Sequence, residues 1–499
     1  MFDTFNTSYF LYIALTFLVV SSFTNAFIKI PAPTVGYRSL FEPTFLLRYR
    51  FVTSAKSIIQ EGYEKSKKSA FMVKRLDSDL LVLSNKYLDE LRLLPNTKLS
   101  NVHAQVKNML GKYTYTTFLL ESDQHVRVLQ NHLTPNLQTF LRRAEEELDY
   151  SFQADIPQNE DWTEVDIQRI LRTMVARASL KVFVGDSACR NPTWIKLCLD
   201  FPINIFATAF VMRLFPPFLH PMISWFLPTR YWLRQNLTLA KKLVTPIIKD
   251  HQIQATSNLD DRTVKGTLLE WMIENARGQE GNPETLSARL MILSMASIHS
   301  TSSAIAAAIF DLCTHPEYIG LLRKELLDVV GDSRGFSKQD LNRLRKLDSF
   351  LRESQRFNPP ILLSPQRVAV TDITLRDGLV IPKDQSIAFP SANLMTDPTL
   401  VPNPETFDAF RSYRKREQPG KSMMHMMVST EKDHLYFGHG KQACPGRFFA
   451  ANEIKIIVAR LLLDFEFRLS EGKGGFRTWT VDEMCFADPR ARIEMRRRM

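Results

Sequence analysis

The longest run of helical hydrophobic spacing in the chain predicts a helix over residues 282–310. Its apolar stripe is formed by residues at helical spacing: Leu286, Leu290, Leu293, Ile305 and Ile309. Pro283 and Glu284 suit the first turn, because proline needs no N–H partner there and an acid complements the helix dipole. The centre is polar, and it reads Ala296-Ser297-Ile298-His299-Ser300-Thr301-Ser302-Ser303. Such residues are a poor local choice inside an apolar helix, so the pattern indicates a buried, wet site.

Shorter alternating patterns predict a smaller amount of β structure. Residues 71–76 and 79–83 read as paired strands, and further short runs cover 366–370, 373–375 and 379–382. The turn residues Asp377-Gly378 separate the last two runs, as in a hairpin. Most of the remaining chain, including residues 163–255, has helical patterning. The predicted fold class is therefore mainly α with a smaller β region.

An aromatic stretch interrupted by prolines divides the helical patterning between residues 213 and 228. It reads Arg213-Leu214-Phe215-Pro216-Pro217-Phe218-Leu219-His220-Pro221-Met222-Ile223-Ser224-Trp225-Phe226-Leu227-Pro228. A long helix would not tolerate four prolines at this spacing. Aromatic residues beside prolines suit a loop at a membrane interface. A buried connector is the alternative interpretation.

The N-terminus predicts a single membrane-spanning helix. Residues 9–27 carry no charge and are about long enough to cross a bilayer. A signal peptide is the alternative, but it would begin with positively charged residues, and the one charged side chain among the first eight residues is that of Asp3. Lys29, Arg38 and Arg48 follow the apolar stretch, so the N-terminus is expected to be lumenal and the rest cytosolic. We expect an anchor over 1–27, a proline-rich hinge over 28–37 and one domain over 38–499.

The charge, the cysteines and the apolar residues of the chain limit the kinds of partner and site that it is expected to have. The 499 residues carry a formal net charge of +11, spread along the chain without a basic stripe interleaved with aromatics. This argues against nucleic-acid binding and favours an acidic protein partner or an anionic membrane surface. The five cysteines are scattered, and none forms a CxxC pair, so neither a disulfide framework nor a structural zinc site is indicated. Thirty-four phenylalanines and 17 methionines are compatible with a pocket for an apolar ligand.

The most informative motif lies near the C-terminus, where a cysteine stands between two glycine-bearing turns and a predicted helix. It reads Phe437-Gly438-His439-Gly440-Lys441-Gln442-Ala443-Cys444-Pro445-Gly446-Arg447-Phe448-Phe449-Ala450. The glycines allow a tight turn that residues with a Cβ would resist. A cysteine just before a helix N-terminus is favoured as a thiolate. A rigidly held thiolate suits an axial ligand of haem iron, although a single cysteine is more often simply buried.

This stretch resembles the haem-binding loop of the cytochrome P450 superfamily, the haem-thiolate monooxygenases. The resemblance implies the P450 fold, with haem (iron protoporphyrin IX) bound through Cys444 as the axial iron ligand and through the surrounding Phe437, Gly438 and Gln442. One position departs from the family pattern. The family has Arg or His two residues before the cysteine, where it meets a haem propionate, and this chain has Gln442.

In the long predicted helix, the resemblance is to the A-G-x-(D/E)-T-(T/S) pattern on the distal face of the haem. His299 stands at the acidic position and Ser300 at the position of the alcohol nearest bound oxygen, with Thr301 as a second alcohol. Ser300 is expected to donate a hydrogen bond, and His299 to shuttle protons. The alternative is that His299 only bonds a carbonyl of a neighbouring helix.

Three further matches concern arginines. Glu353-Ser354-Gln355-Arg356 is E-x-x-R, which places both charges on one helix face, and Arg411 matches the third member of the family's Glu-Arg-Arg cluster. The cluster implies a folding role. Arg367 matches an arginine that reaches a haem propionate. Arg127 is the weaker candidate for that role, because the family's W-x-x-x-R motif is absent and His125 stands near its tryptophan position.

The resemblance implies a monooxygenase of the endoplasmic reticulum membrane, single-pass, with its catalytic domain in the cytosol. It would use O2 and NADPH-derived electrons to oxidise a hydrophobic small molecule, as terpenoid-oxidising fungal members of the ent-kaurene-oxidase-like group do. The electrons would come from NADPH-cytochrome P450 reductase, with cytochrome b5 as a further candidate. Lys441, Arg447 and Lys455 are expected to offer the docking charge. An O2-independent isomerase or dehydratase and a non-catalytic haem-binding protein remain the alternatives.

Overall fold

The structure is a computed structural model that describes residues 30–256, 266–331, 335–470 and 478–498. The predicted anchor over 1–27 and the first two residues of the predicted hinge lie outside the described residues. The described part of the hinge runs along the first strand, where Met72 N donates to Pro33 O at 2.8 Å and Val35 N donates to Met72 O at 3.1 Å. This segment is therefore joined to the domain by backbone hydrogen bonds.

The described residues are mostly helical, as the fold class predicted. The α-helices are α1 Thr44–Lys65, α2 Leu88–Leu91, α3 Asn101–Asn108, α4 Gly111–Thr114, α5 Gln124–Val128, α6 Leu137–Ala154, α7 Ile167–Phe183, α8 Asp186–Cys189, α9 Pro192–Arg213, α10 His220–Phe226, α11 Pro228–Thr256, α12 Leu268–Glu274, α13 Pro283–Thr314, α14 Glu317–Val330, α15 Lys338–Arg343, α16 Arg345–Phe357, α17 Ser391–Leu394, α18 Arg411–Arg416 and α19 Arg447–Asp464. A π-helical turn, Leu129–Leu133, continues α5.

Twelve strands in the described part of the chain form four small sheets. They are β1 Ala70–Lys74, β2 Asp79–Leu83, β3 Leu99–Ser100, β4 Thr163–Val165, β5 Arg367–Ala369, β6 Ile373–Thr374, β7 Val380–Ile381, β8 Ser386–Ala388, β9 Phe465–Leu469, β10 Thr478–Val481, β11 Met484–Ala487 and β12 Ile493–Arg497. The sheet orders are β1-β2-β8-β5-β3, β4-β12-β9, β6-β7 and β10-β11. The predicted pairing of β1 with β2 and the predicted β6-β7 hairpin are both confirmed.

Helix α13 is the central element of the helical part. It packs against α7, α9, α11 and α19, and its apolar residues belong to the main hydrophobic core. Asn282 caps its N-terminus by accepting from Glu284 N at 3.1 Å, and Pro283 occupies the first turn as predicted. These neighbours cover much of the helix, and part of its polar centre, including Thr301 and Ser302, is buried.

The aromatic segment after α9 contains more helix than expected. Pro217–Leu219 forms a 3-10 turn, and His220–Phe226 forms α10 with Pro221 in its first turn, where no N–H partner is needed. The large side chains point outward, and Trp225 and Phe226 are 85% and 81% exposed. The structure therefore disagrees with the buried-connector alternative.

Within the described residues, two helices are long and apolar enough to cross a membrane, α9 and α13. Both pack against other helices of the domain, with 50% and 61% of their apolar windows buried. Such core helices pass the same test as true spans, so they are weak evidence for a membrane crossing.

Candidate active site

The loop before α19 has the shape that its glycines predict. Gly438 and Gly440 both have φ of +74°, a left-handed conformation that disfavours other residues. At Gly440 a Cβ would lie 2.5 Å from the carbonyl oxygen of Arg92, so glycine is also required for space. Hydrogen bonds close the loop, since Cys444 N donates to Phe437 O at 2.9 Å and Gly438 N donates to Leu435 O at 2.9 Å. The loop thereby holds Cys444 three residues before the start of α19.

Cys444 is surrounded by protein but its side chain keeps accessible surface. Burial raises the pKa of its thiol, while the N–H groups of Gly446 and Arg447 and the charge of Arg447 act in the opposite direction. The helix N-terminus therefore does not by itself favour the thiolate, because burial outweighs it. A bound metal ion deprotonates a coordinating thiol outright. Iron ligation would therefore convert Cys444 to the thiolate, in the direction that the N–H groups at the helix start also favour.

Gln442 is used by the protein backbone. Its Oε1 accepts from Asn101 N at 2.9 Å, and its Nε2 donates to Leu99 O at 2.7 Å and Leu94 O at 3.4 Å. The amide therefore fastens the Cys444 loop to the segment around β3. The sequence predicts that Gln442 lies at the cofactor. In the structure, both polar atoms of its amide already have backbone partners.

Arg367 on β5 is a buried cation beside the same loop. Its Nη2 donates to Gln442 O at 3.4 Å and its Nη1 donates to Gln366 O at 2.8 Å. Among the described residues, no carboxylate lies within ion-pair distance of this guanidinium, which is only 8% exposed. Burial alone lowers its pKa to about 10. A buried guanidinium with only carbonyl partners is costly, and an anion arriving from a ligand would relieve that cost.

Arg127 has anionic partners within the protein. Its Nη2 lies 2.8 Å from Glu280 Oε2, and its Nη1 pairs with Asp123 one turn earlier in the chain. These contacts raise the pKa of Arg127, chiefly through its hydrogen bond to Glu280. The guanidinium is thus engaged by carboxylates, unlike that of Arg367.

The centre of α13 exposes one stripe of small residues inside the domain. Ala296, Ser300 and Ser303 keep accessible surface, although their neighbours Ile298, Thr301 and Ile305 are buried. Residues spaced by four and three positions share one helix face, so these three residues form one accessible stripe along the helix. Ser300 Oγ donates to Ala296 O at 2.6 Å, and rotation of the hydroxyl can redirect this proton to a ligand.

His299 and Thr301 are the helix neighbours of Ser300. His299 Nε2 and Thr301 Oγ1 are buried, and neither has a partner among the described residues. Burial and, to a smaller extent, the charge of Arg172 lower the pKa of His299 to about 4. The ring is therefore neutral at pH 7. The alternative interpretation, in which His299 bonds a neighbouring carbonyl, is not seen for Nε2.

The structure brings Glu353, Arg356 and Arg411 together. Arg356 contacts both carboxylate oxygens of Glu353 at 2.8 and 3.1 Å, and Arg411 Nε lies 3.3 Å from Glu353 Oε1. Arg356 also donates to three backbone carbonyls between residues 395 and 406. The cluster therefore joins α16 to the irregular segment that precedes α18.

Sequence reasoning missed Arg289, a fully buried cation in the first half of α13. Its Nη1 donates to Ser122 O at 2.8 Å and lies 3.0 Å from His125 Nδ1, and its Nη2 donates to Phe118 O at 3.1 Å. Burial, followed by the nearby Arg289 charge, lowers the pKa of His125 to about 4. Arg289 thus fastens the 118–125 segment to α13. A single cation within an otherwise apolar helical stretch was the available signal.

The expected docking charges near Cys444 differ in accessibility. Lys441 is exposed, and Arg447 is half-buried, with its Nη1 donating to Cys444 O at 2.9 Å. The prediction for Lys455 is wrong, because its ammonium is buried and lies 2.6 Å from Asp348 Oδ1. Helical periodicity turns Lys455 inward, and a buried acid compensates its charge.

Together these residues fit a haem group. The fit rests on a rigid thiol with accessible surface, a buried guanidinium beside the thiol loop that no carboxylate of the described residues pairs with, and a stripe of small and hydroxyl residues on the adjacent α13. A thiolate ligand and a propionate partner are the contacts that an anionic iron porphyrin requires. The described residues contain no cluster of His, Cys, Asp and Glu side chains arranged for a bare metal ion.

Comparisons with known proteins agree with this geometry. The Cytochrome P450 family model matches residues 91–478. The chain is 44% identical to cytochrome P450 monooxygenase AN1598 of Emericella nidulans, over 94% of this chain and 88% of that protein. It is 40% identical to ent-kaurene oxidase P450-4 of Gibberella fujikuroi, over 94% of this chain and 93% of that protein.

The fold has a solved counterpart as well. The retinoic acid-bound cyanobacterial CYP120A1 aligns with a TM-score of 0.69 at 19% identity, covering 94% of this chain and all of that one. Members of this family bind haem through a cysteine thiolate and use O2, a redox partner and small-molecule substrates. The chain therefore belongs to the cytochrome P450 family of haem-thiolate monooxygenases.

Proposed function

We propose that this chain oxidises a terpenoid or related secondary metabolite, using O2 and electrons that originate from NADPH. The observation that carries the site assignment is the position of Arg367 at the Cys444 loop. This buried cation lies beside a rigid thiol and has no anionic partner in the described part of the chain. Relatives named ent-kaurene oxidase support the substrate class.

The proposal assigns the haem contacts to two residues. Cys444 is the axial thiolate, and Arg367 is the partner of a propionate. Arg127 is assigned a structural role, since Glu280 and Asp123 already engage it. Haem bound in this way supplies oxygen activation, because thiolate ligation favours O–O cleavage. Gln442 supports the loop through its bonds to the backbone around β3.

On the α13 side we assign the proton-donating role to Ser300. Its hydroxyl lies on the accessible stripe, where it can donate either to Ala296 O or to a bound ligand. His299 is neutral at pH 7, so it would relay a proton through both ring nitrogens rather than act as a charged acid. Thr301 is the second alcohol, and its Oγ1 has no other partner among the described residues.

Outside the site, exposed apolar residues support an association with a membrane. Leu40 and Phe41 are 100% and 93% exposed, and Tyr49 Oη connects this region to the aromatic segment by donating to Leu214 O at 2.8 Å. A surface with this many exposed aromatics is typical of a membrane interface. We propose that this surface faces the endoplasmic reticulum membrane, with the anchor at residues 1–27 and the catalytic domain in the cytosol.

The redox partner is proposed to be a flavoprotein reductase, with cytochrome b5 as an additional donor. Lys441 and Arg447 would face an acidic partner on the cysteine side. Turnover of a terpenoid panel by membranes containing the chain and NADPH-cytochrome P450 reductase tests the function. Product that requires both NADPH and O2 is expected. Product formed without either of them would favour the isomerase or dehydratase alternative.

A further inference from the structure

The tip of the β10-β11 hairpin carries two consecutive acids that are buried. Val481 pairs with Met484, so Asp482 and Glu483 form a two-residue turn, and Asp482 has φ of +55°. Asp482 is 7% exposed and Glu483 is 4% exposed. Hairpin tips usually lie in water, because their backbone and charged side chains need solvation. A buried acidic tip therefore requires partners.

Arginines from two other elements provide those partners. Arg75, after β1, is fully buried and its Nη1 lies 2.8 Å from Glu483 Oε1. Arg213, the last residue of α9, lies 3.7 Å from Asp482 Oδ2 and 3.2 Å from Asp77 Oδ2. Two guanidinium groups thus face three carboxyl groups.

Further charges lie at the edge of this cluster. Lys107 of α3 interacts with Arg75 and Asp77, and also with Asp79 and Asp384. Its Nζ donates to the carbonyl oxygen of Asp384 at 3.1 Å, away from the hairpin tip. Asp79 is engaged by Arg48 and Lys74. The charges that face Asp482 directly are therefore Glu483, Arg75 and Arg213.

One oxygen of each acid remains without a donor. Asp482 Oδ1 and Glu483 Oε2 are buried and have no hydrogen-bond partner among the described residues, and the two acids are consecutive and interact with each other. One proton held between them would satisfy both acids and would balance the two arginines against two remaining negative charges. Burial raises the pKa of Asp482, and the charge of Arg75 holds the pKa of Glu483 below its usual value despite burial.

The acidic tip is also bonded to the segment that carries Arg367. Gln366 Nε2 donates to Glu483 Oε1 at 3.2 Å, and Gln366 Oε1 accepts from Asn108 Nδ2 at 2.8 Å. Arg75 Nη2 donates to Asn108 Oδ1 at 3.1 Å, and Arg213 donates to the Asn108 carbonyl. A continuous buried network therefore runs from the end of α9 to β5.

We propose that Asp482 and Glu483 share one proton, and that this carboxyl–carboxylate pair is a latch that fixes the end of α9 to the Gln366-Arg367 segment. The latch is a pH-sensitive element of the fold, separate from the oxygen chemistry. Loss of the shared proton places two adjacent negative charges in a buried site and weakens the attachment of α9.

Two substitutions of Asp482 distinguish the role of the shared proton from the role of the side chain itself. Asp482→Asn keeps the turn, because Asn tolerates a positive φ, and its amide can donate to Glu483 Oε2 without a titratable proton. Asp482→Gly keeps the turn and removes the side chain. Both are to be made in the full-length, haem-loaded protein, with the exposed Arg234→Gln in α11 as a control.

Infrared difference spectroscopy of the wild type against Asp482→Asn observes the proton directly. We expect the wild type at neutral pH to show a protonated-carboxyl C=O band that the Asn variant lacks. Other buried acids such as Glu453 and Asp311 cancel in the difference. If the variant instead loses only carboxylate bands, Asp482 is ionised and the proposal is wrong.

The pH dependence of stability gives an independent test. An acid whose folded pKa is raised stabilises the folded protein below its unfolded pKa, and this stability is lost as the pH rises to the folded pKa. The folding equilibrium of the wild type relative to Asp482→Asn should therefore fall by up to about tenfold per pH unit across the neutral range. A ratio that stays flat from pH 5 to pH 8 would contradict a shared proton.

Hydrogen exchange tests the latch itself. At pH 7 we expect Asp482→Gly to speed amide exchange about tenfold or more in the last turn of α9 and around Gln366, with Asp482→Asn and Arg234→Gln close to the wild type. The β4-β12-β9 sheet, which the network does not reach, should be unchanged in all variants. If Asp482→Gly exchanges like the wild type at α9, the pair does not hold this helix.

Discussion

Arg356 and Arg367 are both buried arginines, with 5% and 8% exposure, but their surroundings differ. Arg356 contacts both oxygens of Glu353 and three backbone carbonyls. Arg367 has two backbone carbonyls and, among the described residues, no carboxylate. The first guanidinium is satisfied by the protein. The second has capacity left for an anion that residues 30–256, 266–331, 335–470 and 478–498 do not provide.

The difference separates a folding role from a binding role. A buried cation whose charge is fully compensated stabilises only the geometry around it, and removing one partner leaves the other uncompensated. A buried cation without an anion costs folding free energy that a ligand can recover. We therefore infer that Arg356 supports the segment before α18, and we propose that Arg367 supports the haem.

Among these changes, the substitution of Arg356, the arginine with a carboxylate partner, should reduce stability most. Arg356→Met leaves Glu353 with only Arg411 as a cationic partner and removes the donor from three carbonyls, so we expect a loss of about 3 kcal/mol in the free energy of unfolding. Denaturant unfolding and the yield of haem-loaded protein would measure it. A variant that folds and loads haem like the wild type would remove the structural role assigned to this cluster.

The matched substitution Arg367→Met should affect haem binding rather than folding. Arg367→Met removes an uncompensated buried charge, so the chain should still fold, but haem should leave at least about tenfold faster because a propionate loses its partner. Transfer of haem to an excess of apomyoglobin gives the rate. Arg127→Met is the control and should retain haem normally. Faster haem loss from Arg127→Met than from Arg367→Met would reverse our assignment of these two arginines.

A smaller effect is expected on α13. Ser300→Ala removes the proposed donor, and the fraction of NADPH that yields product should fall about two- to tenfold, with peroxide released instead. Ser303→Ala, on the same accessible stripe, is the control for space and should keep normal coupling. Unchanged coupling in Ser300→Ala would shift the donor role to Thr301 or to water.

The last prediction concerns His299, and its effect is confined to acidic pH. Because its folded pKa of about 4 lies below that of the unfolded chain, its neutral form stabilises the protein above pH 6.5, and that stability is lost as the pH falls toward 4. His299→Gln should remove on the order of 2 kcal/mol of this acid sensitivity. Thermal unfolding between pH 4.5 and 7 would show it. Parallel curves for wild type and variant would mean that folding does not lower the pKa of His299.

The sequence was sufficient wherever local chemistry determines the structure. The glycines of the 437–446 loop, the Asn282-Pro283 start of α13 and the Asp377-Gly378 hairpin could each be predicted, because turn and cap geometry depends on a few adjacent residues. The fold class and the family were likewise predicted, and both are confirmed.

Tertiary contacts determined the rest. The backbone partners of Gln442 come from residues 94–101, more than 300 positions earlier in the chain. Lys455 was expected at the surface, but its acid, Asp348, lies on α16. The buried turn at Asp482 and Glu483 has an ordinary hairpin sequence, and only packing shows that its charges are enclosed. Periodicity carries no information about such long-range partners.

Cys444 is proposed to supply a thiolate to haem iron. The most direct measurement is the carbon monoxide difference spectrum of the reduced protein, recorded in parallel for the wild type and Cys444→Ser. We expect a red-shifted, thiolate-type Soret band for the wild type and its loss in the variant. A wild-type spectrum with the Soret position of histidine-ligated haem, or a thiolate-type band that survives in Cys444→Ser, would contradict it.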